Sequence, residues 1–254
     1  VEMRFGHTVA LLWEDDSRAV GRSGLTVADY VTAAVEVLDA GGATGFSMRG
    51  VAERLGVRTM AAYSFGKKED LLALAVDRTY RETYSARPEP ATAHWRTGLT
   101  EIAHANRELQ LTHPWLPELA SPRSLMGPCE MLKRDLELRP LEATTLSDID
   151  KDRILTQLLM HVSETTRIDN ALRQERRTSG LSDEQWMRVV MSIAESVADP
   201  TRFPVAARVG VAAQAARGGV QGGREAFEFG LERLLDGFAV LVDDTGAREA
   251  EYRS

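Results

Sequence analysis

Apolar residues recur every three or four positions along most of this chain, and runs of β-branched residues are short. That period is helical, and it predicts an all-α fold. The first clear stripe is Val27, Tyr30, Val31, Ala34 and Leu38, capped by Thr26 with Asp29 three residues on and stopped at Gly41-Gly42. A second helix, capped by Ser47, turns Met48, Val51, Ala52 and Leu55 inward and ends at Gly56. Val57 packs back, and Ala62 and Phe65 are the inward residues of a third short helix. Another begins near Lys67 and runs through Leu71, Leu74, Ala75, Arg78 and Tyr80.

Two short helices meeting at one glycine, with a small residue (Ala52) at the crossing and Val51, Leu55 and Val57 holding the turn, predict a helix-turn-helix. Arg58, Thr59, Met60, Tyr63 and Ser64 then lie off the apolar stripe, on a face free to enter a groove of DNA. The same spacing also fits a surface helix pair in any all-α protein. Residues 1–24 look different, with an acidic cluster (Glu14, Asp15, Asp16) followed by a Gly/Ser/Arg run, and are expected to form a mobile arm. Arg18 and Arg22 in that arm suit a minor groove, whereas Glu14, Asp15 and Asp16 would repel phosphates, and both readings stay open.

Beyond residue 86 the helices are separated by proline-marked breaks. "RPEPA" (Arg87–Ala91) reads as the connection between domains, which gives an arm over 1–24, a helix-turn-helix domain over 25–85 and a larger helical domain over 86–254. Trp95, Leu99, Ile102, Asn106 and Leu109 share one helix face, and Pro128 opens another helix. A long helix from about Asp148 to Arg176 carries the stripe Ile154, Leu158, His161, Thr165, Ile168 and Leu172. Ser182 and Gln185 form a capping box for a helix bearing Trp186, Val189, Val190, Ile193 and Val197. The run Gly210–Gly223 lacks apolar anchors after Ala213 and is expected to be flexible. The last helix, Arg224 to about Val242, is apolar over more than the roughly 100° that packing on one domain needs.

Charge sharpens the picture. The whole chain is acidic, with a net charge of −7. From Ser17 to Lys68, however, seven Lys and Arg, among them Lys67 and Lys68, outnumber four acids. A local cationic patch therefore sits in a chain without general affinity for polyanions. The single cysteine, Cys129, excludes an intrachain disulfide and fits a reducing compartment. No apolar run has membrane-spanning length and no signal pattern opens the chain, so a cytoplasmic protein is expected.

The stretch "SMRGVAERLGVRTMAAYSFGKKEDLL", with "ADYVTAAVEVLDAGGATGFSMR" before it, resembles the DNA-binding core of the TetR/AcrR family of bacterial transcriptional regulators. "HPWLPEL", "GLSDEQW", "DPTRFP" and "FEFGLERLLDGFAVLV" resemble the C-terminal domain of its tetracycline-repressor-type branch, so the likeness covers nearly everything after Leu25. It implies a three-helix N-terminal domain joined to a larger ligand-binding and dimerisation domain. It further implies that Ser47 and Arg49 sit near phosphates, that Arg58 to Ser64 enter the major groove, and that Tyr63 and Lys68, beside Lys67, meet the DNA backbone. One departure from the family is that the spacing between Tyr63 and the Lys68-Glu69 pair is a residue shorter than usual. The partners implied are a second copy of the chain, a palindromic DNA operator and a small-molecule effector, with no cofactor.

In that branch the last helix and a preceding one form a four-helix dimer bundle, which would use Trp186, Val190, Phe227, Leu231, Leu234 and Phe238. An effector site is suggested where polar residues interrupt apolar stripes, at Asn106, His161 and Thr165, because a buried polar group needs a partner. That partner is either another protein group or a ligand. Trp95, Trp115, Met126 and Met131 would add adaptable apolar surface. The scattered histidines match no metal-ligand spacing, and no phosphate loop or nucleophile elbow is present. The expected function is a ligand-responsive repressor and not an enzyme. The reading from another class is a dimeric all-α binding protein or enzyme whose helix-turn-helix does not act on DNA.

Overall fold

The computed structural model describes residues 2–21, 24–121, 123–197, 199–217 and 223–252. Among the described residues the regular structure is helical, joined by loops, with a single isolated β-bridge between Ala19 and Thr26. In chain order the helices are α1 (Glu2–Leu12), α2 (Val27–Gly45), α3 (Met48–Leu55), α4 (Thr59–Ala62), α5 (Lys68–Tyr80), α6 (Glu82–Ser85) and α7 (Trp95–Thr112). They continue as α8 (Leu116–Leu119), α9 (Pro128–Leu138), α10 (Asp148–Ser179), α11 (Asp183–Val197), α12 (Pro204–Arg217) and α13 (Arg224–Tyr252).

Local chemistry sets the starts and stops. Thr26 and Asp29 exchange capping hydrogen bonds at the head of α2, and α2 breaks at Gly42. Ser47 Oγ accepts from the Gly50 N–H at the head of α3, and Ser182 and Gln185 form the capping box of α11. Pro128 sits at the first turn of α9, where no helical N–H partner is needed.

Two cores hold the molecule. The first gathers Tyr30, Leu38, Val51, Ala52, Ala62, Phe65, Leu71 and Leu74, and also takes Leu109, Trp115 and Leu116 from beyond residue 86. The second joins α7, α10 and α13 through Leu99, Ile102, Leu155, Leu158, Val162, Phe227, Leu231 and Leu235. A polar contact ties the segment after α7 to α2 within the first core: Trp115 Nε1 donates to Asp39 Oδ1 at 2.7 Å. His113 lies between Asp39 (2.7 Å) and Glu82 (3.1 Å).

Several expectations need correction. The first 24 residues are not a free arm: Leu11, Leu12 and Val20 are buried, and Thr8 Oγ1 donates to Asp70 at 2.7 Å. In the acidic cluster Asp15 accepts from the Ser17 N–H, and Glu14 and Asp16 are ion-pair partners. Asp16 accepts from Arg78 (2.8 Å) and Arg81 (3.1 Å) of the neighbouring helix, while Glu14 holds Arg18 at 2.5 Å. Arg22 lies outside the described residues. The segment from Gly210 to Arg217 is helical, not flexible, because alanine-rich sequence favours helix without apolar anchors; residues 218–222 lie outside the described ones. The buried face of α10 is Ile154, Leu155, Leu158, Val162, Thr166 and Asp169, turned by about one residue from the expected stripe, and Ile168 faces outward. The last helix runs on to Tyr252.

Candidate nucleic-acid interface and ligand chambers

The turn between α3 and α4 depends on Gly56, whose φ of 68° is left-handed, a conformation that costs glycine little. Its N–H closes on Ala52 and Glu53, and Val57 N–H bonds back to Ala52 O at 3.0 Å. Behind the turn, Tyr30 pins α4 in place. Its hydroxyl donates to Ala61 O at 3.2 Å and its ring stacks on Phe65 with centroids 5.4 Å apart. Outside the turn stand Arg58, Thr59, Met60, Tyr63 and Ser64, with Met60 79% and Tyr63 52% exposed. Two large side chains left in solvent on one turn, with nothing packed on them, mark a contact surface. The helix itself is a single turn, shorter than the sequence suggests, and is followed by tight turns at Ser64 and Phe65. The shortened link to α5 is taken up at Gly66, with φ of 152°.

The cations around this surface differ. Arg49 is exposed and pairs with Glu53 at 2.8 Å. Lys67 is exposed at the head of α5, where its N–H donates to Asp70. Lys68 is half-buried and donates to Phe46 O at 2.9 Å, its ammonium lying over the Phe46 ring.

Helix α5 starts at this surface and ends beside two chambers. The first, about 210 Å³, is walled largely by Leu12, Leu72, Val76, Leu119 and Leu125. The second, about 270 Å³, is bordered by Asn106, Gln110, Lys133, Glu137 and Ser163. Tyr80 and Glu130 border both. In the second chamber Glu137 is buried and accepts from Lys133 (2.8 Å), Asn106 (2.6 Å) and Tyr84 (2.8 Å). Burial, then the carboxylates of Glu130, Glu137 and Asp77, push the Tyr80 phenol well above its ordinary pKa. Burial and Glu137 do the same to Tyr84.

Residues 87–242 match the family model described as "Tetracyclin repressor-like, C-terminal domain". The chain is 31% identical over 239 residues to the HTH-type transcriptional repressor DrrR1 of Streptomyces coeruleorubidus, covering 92% of this chain and 86% of that one. The chain belongs to the TetR family of transcriptional regulators. It is 33% identical over 127 residues to an HTH-type transcriptional regulator of Saccharopolyspora erythraea, about half of each chain. In fold it is similar to ActR, a TetR family protein of Streptomyces coelicolor solved in complex with actinorhodin. The TM-score is 0.68 at 24% identity, over 87% of this chain and 98% of that one. Its relatives act in transcription rather than catalysis, and so does this chain, as a DNA-binding transcriptional regulator.

Within this TetR-family chain the residues expected to bind a ligand do not converge. Asn106 borders the second chamber, but its amide is already bonded to Ile102 O and Glu137. His161 is a packing residue: Nε2 lies 2.9 Å from Phe227 O, the ring stacks on Phe227, and an added Cβ at Gly230 would overlap it. Thr165 donates back to His161 O at 2.7 Å. Trp115 is buried in the first core, tied to Asp39. Trp95 is half-buried on the second core, stacked on His94. Met126 and Met131 are exposed and line neither chamber.

The signal missed was a second apolar face on α5. Leu72, Val76 and Tyr80 are spaced by four residues and face the first chamber, while Leu71, Leu74 and Ala75 face the core. The residues assigned to a dimer interface also divide. Phe227 and Leu231 are buried in this chain's own core, because α13 packs that face on α10, so they are not interface residues. Leu234 and Phe238 are half-buried, and Trp186 and Val190 are exposed.

Proposed function

We propose that this TetR-family regulator is a cytoplasmic repressor that binds a palindromic operator as a dimer and is released by a small, largely apolar effector. The observation that carries this reading is the path of α5. One helix begins at the exposed α4 turn and ends as the wall of both chambers, so a ligand that shifts its C-terminal end moves its N-terminal end too. In a dimer the two α4 turns need a spacing of roughly 34–36 Å to reach successive major grooves. An effector that favours the misaligned spacing about 100-fold supplies ~2.7 kcal/mol of coupling, and operator DNA must weaken effector binding by the same factor.

Arg58, Thr59, Met60, Tyr63 and Ser64 are assigned to the groove, and Ser47, Arg49 and Lys67 to phosphates. Lys68, spent on Phe46, acts by fixing the head of α5. The dimer surface is assigned to α11, whose Trp186, Val189, Val190, Ile193 and Val197 are all exposed, with the half-buried Leu234 and Phe238 of α13 beside it. The effector reading is supported by the chambers and by the ActR–actinorhodin complex in the same fold. Fluorescence anisotropy with the promoter beside the protein's own gene tests the assignment. Arg58→Ala and Tyr63→Ala should each weaken binding at least tenfold at unchanged thermal stability. Unchanged affinity in both variants would refute the DNA-binding role of α4.

A further inference from the structure

The second chamber contains polar groups whose bonding is complete and two whose bonding is not. Glu137 takes three donors, and one of them, the cation Lys133, also lies over the Tyr80 ring at 5.5 Å. Arg134 is engaged by Asp152. Against these, Gln110 is 9% exposed, its Nε2 donates to Ser163 Oγ at 3.1 Å, and its Oε1 is buried without a hydrogen-bond partner among the described residues. Glu130 gives its backbone N–H to Asp77 at 3.0 Å. Among the described residues no cation pairs with the Glu130 carboxylate, which borders both chambers. The two open groups are both acceptors, and one is negative. Burying an unmet amide oxygen is unfavourable, and an unpaired carboxylate at a chamber wall favours a positive guest.

We propose that the effector is an amphiphile with a protonated amine head, received by Gln110 and Glu130 in the second chamber, and an apolar body held in the first. The proposal rests on the reading of the chambers as the effector site. An ammonium has three donors and one positive charge, which suits an amide oxygen and a carboxylate together. The first chamber carries Glu69, Asp77 and Arg123 among its lining residues, but Leu12, Leu72, Val76, Leu119 and Leu125 give it an apolar wall that takes flat or aliphatic carbon. In the second chamber Lys133 is neutralised by Glu137 and Arg134 by Asp152, so a carboxylate head there would meet the Glu130 charge with no unpaired lining cation among the described residues to offset it; Arg123 lines only the first chamber.

Three probes with one ring system and three heads test this on the full-length protein at pH 7: 9-(aminomethyl)anthracene, 9-anthracenemethanol and 9-anthracenecarboxylate, followed by anthracene fluorescence. The amine should bind at least tenfold more tightly than the alcohol, a difference of about 1.4 kcal/mol, and the carboxylate most weakly. Glu130→Gln should remove the amine's advantage over the alcohol. Gln110→Leu should weaken the amine and the alcohol at least fivefold, and should raise the melting temperature of the ligand-free protein, since it removes an unmet buried group. A carboxylate that binds as well as the amine, or a Gln110→Leu protein that melts lower, would overturn the assignment. Equal binding of all three heads, with operator release, would overturn the amine head while leaving the chambers as the effector site. No binding by any probe would overturn both.

Discussion

Single buried polar residues carry most of what distinguishes this chain from a generic helical bundle. Glu137 is 1% exposed and its charge is met by Lys133. Replacing Lys133 by Met would strand that carboxylate, and breaking a buried pair in this way costs about 3–5 kcal/mol. A urea melt should show the midpoint of Lys133→Met falling sharply, and a double variant with Glu137→Gln should recover part of the loss. His161 is the opposite case. It stacks on Phe227 and bonds to its carbonyl, so His161→Ala should lower stability by roughly 1–2 kcal/mol while leaving probe binding in the chambers unchanged. Calorimetry with and without the aminomethyl probe separates the two effects. The sequence marked His161 and Asn106 equally as interruptions of an apolar stripe. Only the fold reveals that one meets a backbone carbonyl and the other a charged network.

At the level of helices, legibility followed the range of the interactions involved. Ser47, Gly56 and the Thr26–Asp29 box act within four residues of themselves, and each does in the structure what its spacing predicts. The register of α10 depends on distant partners: Thr166 is buried because it can return its hydroxyl to Val162 O, and Asp169 because Arg107 reaches it. A stripe of apolar letters cannot register either fact. The chambers were illegible for the same reason, since Leu12, α5 and the loop before α9 lie far apart in the chain. Helix α1 was misread because its anchors, Leu11 and Leu12, close a short segment whose Asp16 finds its cations at Arg78 and Arg81, on and just after α5. Deleting residues 2–21 should therefore destabilise the protein by several kcal/mol, since burial of Leu11, Leu12 and Val20 is worth about 1.5–3 kcal/mol each. Thermal unfolding of the truncated chain should show a fall of many degrees, where loss of a mobile arm would show none.

At the scale of the whole molecule, α11 presents an exposed apolar face among the described residues. Val189, Ile193 and Val197 on α11 are 52, 58 and 78% exposed, more contiguous carbon than an isolated chain of this size ordinarily presents. Placing a charge there, as Val190→Asp with Ile193→Asp, should give a monomer by sedimentation velocity and abolish tight operator binding, with the helical content unchanged. The first core has a different consequence. Leu109, Trp115 and Leu116 complete the packing beneath the helix-turn-helix, and Asp39 of α2 is bonded to His113 and Trp115 across the nominal boundary at residues 86–94. A DNA-reading head transplanted from a relative by splicing at that loop would arrive without the three side chains that close its underside and without the partner for its aspartate. Functional chimaeras of this regulator must therefore carry the stretch from Leu109 to Leu119 along with the head, so that the unit of exchange is discontinuous in sequence.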